Sequence, residues 1–80
     1  MTREEALDII RDDLVKHFEI EPESITLDAQ LVDDLDLDSI DGVDMMVRMQ
    51  ERTGRKVSAE QFVNIRTIDD LVDLMARLAS

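Results

Sequence analysis

The residues best able to do chemistry are gathered in one stretch, DDLDLDSIDG, residues 33 to 42. Asp33, Asp34, Asp36, Asp38 and Asp41 surround one serine, Ser39. Carboxylates at alternate positions resemble the start of a calcium loop, so metal binding is the first chemistry to test. An EF-hand loop needs oxygen ligands at positions 1, 3, 5, 7, 9 and 12, with glycine at 6 and glutamate at 12. Counting from Asp34 puts Ser39 at position 6 and Met45 at 12, and counting from Asp36 puts Ile40 at 5 and Val47 at 12. Neither register works. No dedicated metal site is expected, although loose divalent binding by the cluster is.

Nucleophilic catalysis by Ser39 needs a base and an oriented partner for that base. His17 is the only imidazole in the chain, and it falls at the far end of another helix. No Gly-x-Ser-x-Gly elbow is present. A serine with no base and a ring of carboxylates suits the role of substrate, with another enzyme bringing base and metal. The chain itself is not expected to be an enzyme.

The bulk numbers narrow the classes further. Eighty residues suffice for a single domain, 1–80, with one modest core. There is no cysteine, which removes disulfides, thiolate zinc sites and cysteine nucleophiles together. Twenty acids against nine bases leave a net charge of −11, which phosphate backbones repel, so nucleic acid is not a partner. Disorder is excluded because 44% of residues are apolar and they recur at helical spacing. No apolar run is long enough to be an integral membrane segment, and the acidic N-terminus does not resemble a signal peptide. A monomer acting in the cytoplasm is expected, meeting partners that carry basic patches.

The elements that must position Ser39 can be read from caps and periods. Thr2 with Glu5, Asp38 with Asp41, Ser58 with Gln61 and Thr67 with Asp70 each pair a capping residue with an acid or amide three positions on. Each opens a helical segment. The first runs to about His17 with Leu7, Ile10 and Leu14 on one stripe, the second covers about 40–52, the third is a turn or two near 59–64, and the last runs from Ile68 to Leu78. Gly54 stands where a C-cap glycine belongs. No strand pairing is expected. The fold class is all-α, a small four-helix bundle with three longer helices, one short one and a long first loop. Ile20, Ile25, Leu27, Leu31, Leu35 and Leu37 in that loop are expected to pin it across the helices.

The second helix has two apolar arcs when placed on a wheel at about 100° per residue. Met45, Met46 and Met49 share one arc with Gly42, while Ile40, Val43 and Val47 lie nearly opposite. A surface helix needs only one apolar stripe. Burial on both sides by the loop and the third helix is one explanation. The other is that the methionine arc faces the core, where flexible thioethers can repack around an apolar guest, while the second arc docks partners within a fringe of acids.

The stretch Leu35-Asp36-Leu37-Asp38-Ser39-Ile40 resembles the Asp-Ser-Leu signature of acyl carrier proteins. The likeness extends to length, acidity, helical plan and the LVDDL segment before the motif. The resemblance implies that Ser39, beside Asp38, carries 4′-phosphopantetheine transferred from coenzyme A by a phosphopantetheinyl transferase. Acyl groups would ride as thioesters on the arm's thiol to fatty-acid or polyketide-type synthesis enzymes. Acyltransferases, ketosynthases, reductases or acyl ligases are the implied partners. They would meet Ile40, Val43 and Val47 with Asp41, Asp44 and Glu51 around them, and Met45, Met46 and Met49 would shelter the acyl chain. Three departures stand out: Ile40 replaces the usual leucine, Asp36 takes a place often held by glycine, and Arg48, Arg52, Arg55 and Lys56 add bases to a region usually more acidic. The four bases suggest a carrier for a specialised pathway. The alternative is a non-covalent helical adaptor that docks through the same acidic helix and has no use for a modified serine.

Overall fold

The computed structural model describes residues 1–79. Its helices are α1 (Arg3–His17), α2 (Ser39–Thr53), α3 (Ala59–Val63) and α4 (Ile68–Leu78), with one 3-10 turn at Pro22–Ser24 in the long first loop. All four expected capping boxes form, each with the cap side chain accepting the N3 amide and the N3 side chain accepting the cap amide. Gly54 ends α2 at φ +69°, the left-handed conformation that only glycine adopts freely. Among the described residues no strand is present. Gln30 and Thr67 make one isolated antiparallel bridge.

The core is a single apolar cluster. α1 contributes Ala6, Ile10 and Leu14, α2 contributes Met45 and Met49, and α4 contributes Ile68, Leu71, Val72, Leu74 and Met75. Leu7, on the expected stripe, is only half-buried, and Ala6 takes the innermost place. A methyl side chain there allows α1 and α4 to approach closely.

The first loop is held as the pattern demands, with one correction. Ile25, Leu31, Leu35 and Leu37 are buried and Ile20 packs against the cluster, but Leu27 is exposed. Ala29 is buried in its place. The reason is backbone pairing: Leu27 O and Ala29 O accept from Asp69 N and Ile68 N at 2.9 and 3.0 Å, and Leu31 N donates to Arg66 O at 2.9 Å. These bonds satisfy two of the free amides at the start of α4. They also set the facing of residues 27–31, so side-chain hydrophobicity does not decide it alone.

Candidate functional site

The loop delivers Ser39 to the surface by burying the residues before it. Leu35 and Leu37 are core residues, and Leu37 N returns to Leu31 O at 3.0 Å. Asp36, between them, is pushed outward at φ +58°. The place often held by glycine is therefore a left-handed position, and aspartate is among the few other residues that tolerate one. Asp38 then caps α2. Its carboxylate accepts from Asp41 N at 2.9 Å, and Asp41 Oδ2 accepts from Asp38 N at 3.1 Å. Ser39 follows as the first helical residue, exposed, and no described group hydrogen-bonds its hydroxyl.

The expected partner-facing residues have distinct environments. Ile40, Val43 and Val47 are 76%, 59% and 44% exposed, so the second arc of α2 meets solvent rather than the loop. Val63, at the end of α3, is equally exposed and was not foreseen, because a five-residue helix has too few turns to reveal its outer face. α3 itself packs near Gly42, where an added Cβ would sit 3.7 Å from Phe62. Glu51 is exposed, whereas Asp41 is committed to the cap. Asp44 is tied down as well: it lies 2.7 Å from His17 Nε2 and 3.6 Å from Arg48 Nε. The Arg48 guanidinium also contacts His17 Nδ1. That pairing makes Nδ1 the acceptor and Nε2–H the donor to Asp44, so both ring nitrogens of His17 are occupied and neither is free to serve Ser39.

The methionine arc divides. Met45 and Met49 are buried and line a cavity of about 20 Å³. Ile10, Asp13, Leu14, Phe18, Arg48, Leu71 and Met75 complete its wall. Met46 is half-buried against the core and does not line the cavity. The space holds about one water, so a longer guest must part the side chains around it. Met45, Met49 and Met75 are the residue type best able to give way.

Of the four bases noted in and after α2, two are used within the fold. Arg52 pairs with Asp13 of α1 at 2.7 Å, and Arg48 belongs to the contact with His17 and Asp44. Arg55 and Lys56 are exposed, with no ionic partner among the described residues.

A hydroxyl at the first position of a capped helix is a fitting seat for a phosphodiester. The amides of Ser39 and Ile40 are left over by the cap, and the positive end of the helix lies beside them. Residues 8–75 of the chain match the family model described as a phosphopantetheine attachment site. The chain belongs to this carrier family.

Relatives agree across nearly its whole length. The carrier is 41% identical to Acyl carrier protein 2 of Ralstonia nicotianae over 78 residues, covering 98% of this chain and 96% of the relative. It is 36% identical to an acyl carrier protein of Coprothermobacter proteolyticus over 75 residues, covering 94% and 92%. It is 33% identical to the meromycolate extension acyl carrier protein of Mycobacterium tuberculosis over 78 residues, covering 98% of this chain and 68% of that one. Such proteins are carriers rather than enzymes, and their prosthetic group is 4′-phosphopantetheine. No described helix is long and apolar enough to cross a membrane.

Proposed function

We propose that Ser39 is the attachment point and that the loaded carrier presents acyl thioesters to fatty-acid or polyketide-type synthesis enzymes. In attachment a bond forms between Ser39 Oγ and the phosphorus that bears the pantetheine, while the pyrophosphate bond of coenzyme A breaks and adenosine 3′,5′-bisphosphate leaves. The serine proton must go to a base supplied by the transferase, since His17 is already paired at both nitrogens. The arm's thiol supplies the thioester chemistry that a chain without cysteine lacks. The observation that carries this reading is the exposed, unpartnered Ser39 beside an exposed apolar arc of Ile40, Val43 and Val47. A small apolar contact fringed by acids suits brief encounters with enzymes that bear basic patches. We place the carrier in the cytoplasm as a monomer.

The test is intact mass after incubation with coenzyme A and a broad-specificity transferase. One phosphopantetheine gained at Ser39, and none in Ser39→Ala, is the expected result. No gain with several transferases, on folded and initially unmodified protein, would reject Ser39 as the site and leave a non-covalent adaptor as the better reading.

We also assign the carrier to a specialised pathway. Support comes from Arg55 and Lys56, which remain exposed beyond α2 after Arg48 and Arg52 are accounted for. Two bases beside a docking helix repel the basic patches that acidic carriers attract. Turnover by housekeeping fatty-acid synthase enzymes equal to that of their own carrier would refute this assignment.

A further inference from the structure

The cavity beneath α2 is not purely apolar. Two charged side chains, Asp13 and Arg48, share its wall with seven apolar ones. Asp13 is satisfied by Arg52 at 2.7 Å. Arg48 is satisfied only in part. Its Nη2 reaches His17, but its Nε is buried and no described group lies within hydrogen-bonding distance. The nearest carboxylate oxygen, Asp44 Oδ1, is 3.6 Å away, close enough for charge attraction and too far for a hydrogen bond.

A buried N–H without an acceptor is costly, and more so on a charged group. A saturated hydrocarbon entering this cavity would leave that cost in place. A chain bearing a carbonyl or hydroxyl oxygen at the right depth would remove it. Sites that present a polar group in this way discriminate by what they leave unpaired.

We propose that Arg48 makes the cavity selective for acyl chains that carry an oxygen acceptor along the chain, with Arg48 Nε–H as the donor. The inference rests on the carrier reading and names its cargo class as oxygenated acyl groups. The surrounding geometry supports a fixed donor. The Asp44 and His17 contacts hold the guanidinium from two sides, which limits its freedom to turn away from the cavity it helps to line. Arg48 lies nine residues beyond Ser39 on the same helix, a rise of about 13.5 Å, so the depth of the chain oxygen is a variable to be scanned.

The experiment loads the carrier at Ser39 with octanoyl, 3-oxo-octanoyl, 5-oxo-octanoyl and 7-oxo-octanoyl pantetheine arms, with each load verified by mass. Transfer of each acyl group to an excess of a small thiol, which releases the arm's thiol, is then measured and normalised to the same acyl group on free pantetheine. At least one oxo chain should be protected about tenfold better than octanoyl, a factor worth about 1.4 kcal/mol. Arg48→Lys, which keeps a positive charge beside Asp44 but has no Nε–H, should abolish the difference. In the unsubstituted carrier, the Arg48 side-chain Nε–H resonance should move on loading with the protected chain and not with octanoyl. Equal protection of all four chains together with an unmoved resonance would overturn the proposal, and protection that survives Arg48→Lys would overturn the assignment to Arg48. Failure to load at Ser39 would instead count against the carrier reading, so the two can fail separately.

Discussion

Arg52 of α2 donates to Asp13 of α1 at 2.7 Å, and the Asp13 side chain is only 15% exposed. An arginine that looks in sequence like a departure in the recognition surface is a clip between two helices. The hydrogen bond to Asp13 also holds the Arg52 guanidinium above its usual pKa. Arg52→Ala should destabilise the fold by about 1 kcal/mol, because it leaves a largely buried carboxylate unpaired. For a domain of this size that is about 4–8 °C in Tm. Lys56→Ala should stay within about 0.5 kcal/mol of the parent. Thermal melts of the two variants check this, and equal losses would reject the distinction.

Among the described residues, two non-glycine ones hold left-handed backbone, Glu19 and Asp36, each at φ +58°. Glu19 directly follows the C-cap of α1, a common glycine position. Glu19→Gly should stabilise by about 0.5–1 kcal/mol, since the relief of backbone strain exceeds the added freedom of the unfolded chain. Asp36→Gly should gain less, because aspartate tolerates this conformation better than glutamate does. Urea unfolding midpoints report both. A lower midpoint for Glu19→Gly would show that its side chain contributes more than its backbone costs.

Asp70 accepts from the amides of Arg66 and Thr67 at 3.1 and 3.2 Å, which hold its carboxyl below the usual aspartate range, the Arg66 bond most of all. A depressed folded pKa contributes stability above the unfolded value, about 3.9, and that stability is lost as pH falls through the lower folded value. Asp70→Asn should therefore cost about 1 kcal/mol at neutral pH. The deficit should shrink as pH falls below about 4. A deficit constant from pH 7 to pH 3 would contradict the ionic account.

Ile40 is 76% exposed and contributes little to the core. On the proposed function, Ile40→Glu should leave Tm within about 2–4 °C of the parent and slow acyl transfer to cognate enzymes about tenfold, as expected for loss of a central apolar anchor. Unchanged turnover would remove Ile40 from the docking surface.

Net charge of −11 implies self-repulsion that added salt screens, the Debye length falling to about 3 Å at 1 M. Unfolding midpoints should rise between low and high sodium chloride. Midpoints that do not move would mean that local ion pairs such as Arg52 with Asp13 already offset the repulsion.

Local signals set much of this protein by themselves. The four capping boxes, the Gly54 stop and the helical periods reside in neighbouring residues, and each element began where its cap stands. The two apolar arcs of α2 were also legible, because a 15-residue helix samples its wheel fully. Tertiary structure decided what depends on partners distant in sequence. Leu27 turns outward and Ala29 inward because their carbonyls accept from α4. Met46 falls outside the cavity because α1 and α4 close over Met45 and Met49. Arg48 and Arg52 belong to the fold because His17 and Asp13 stand opposite them on α1, a pairing across 31 and 39 residues that no local pattern encodes. Caps and periods are interactions within a turn or two, so sequence carries them. Which charged groups meet is fixed only when the helices pack.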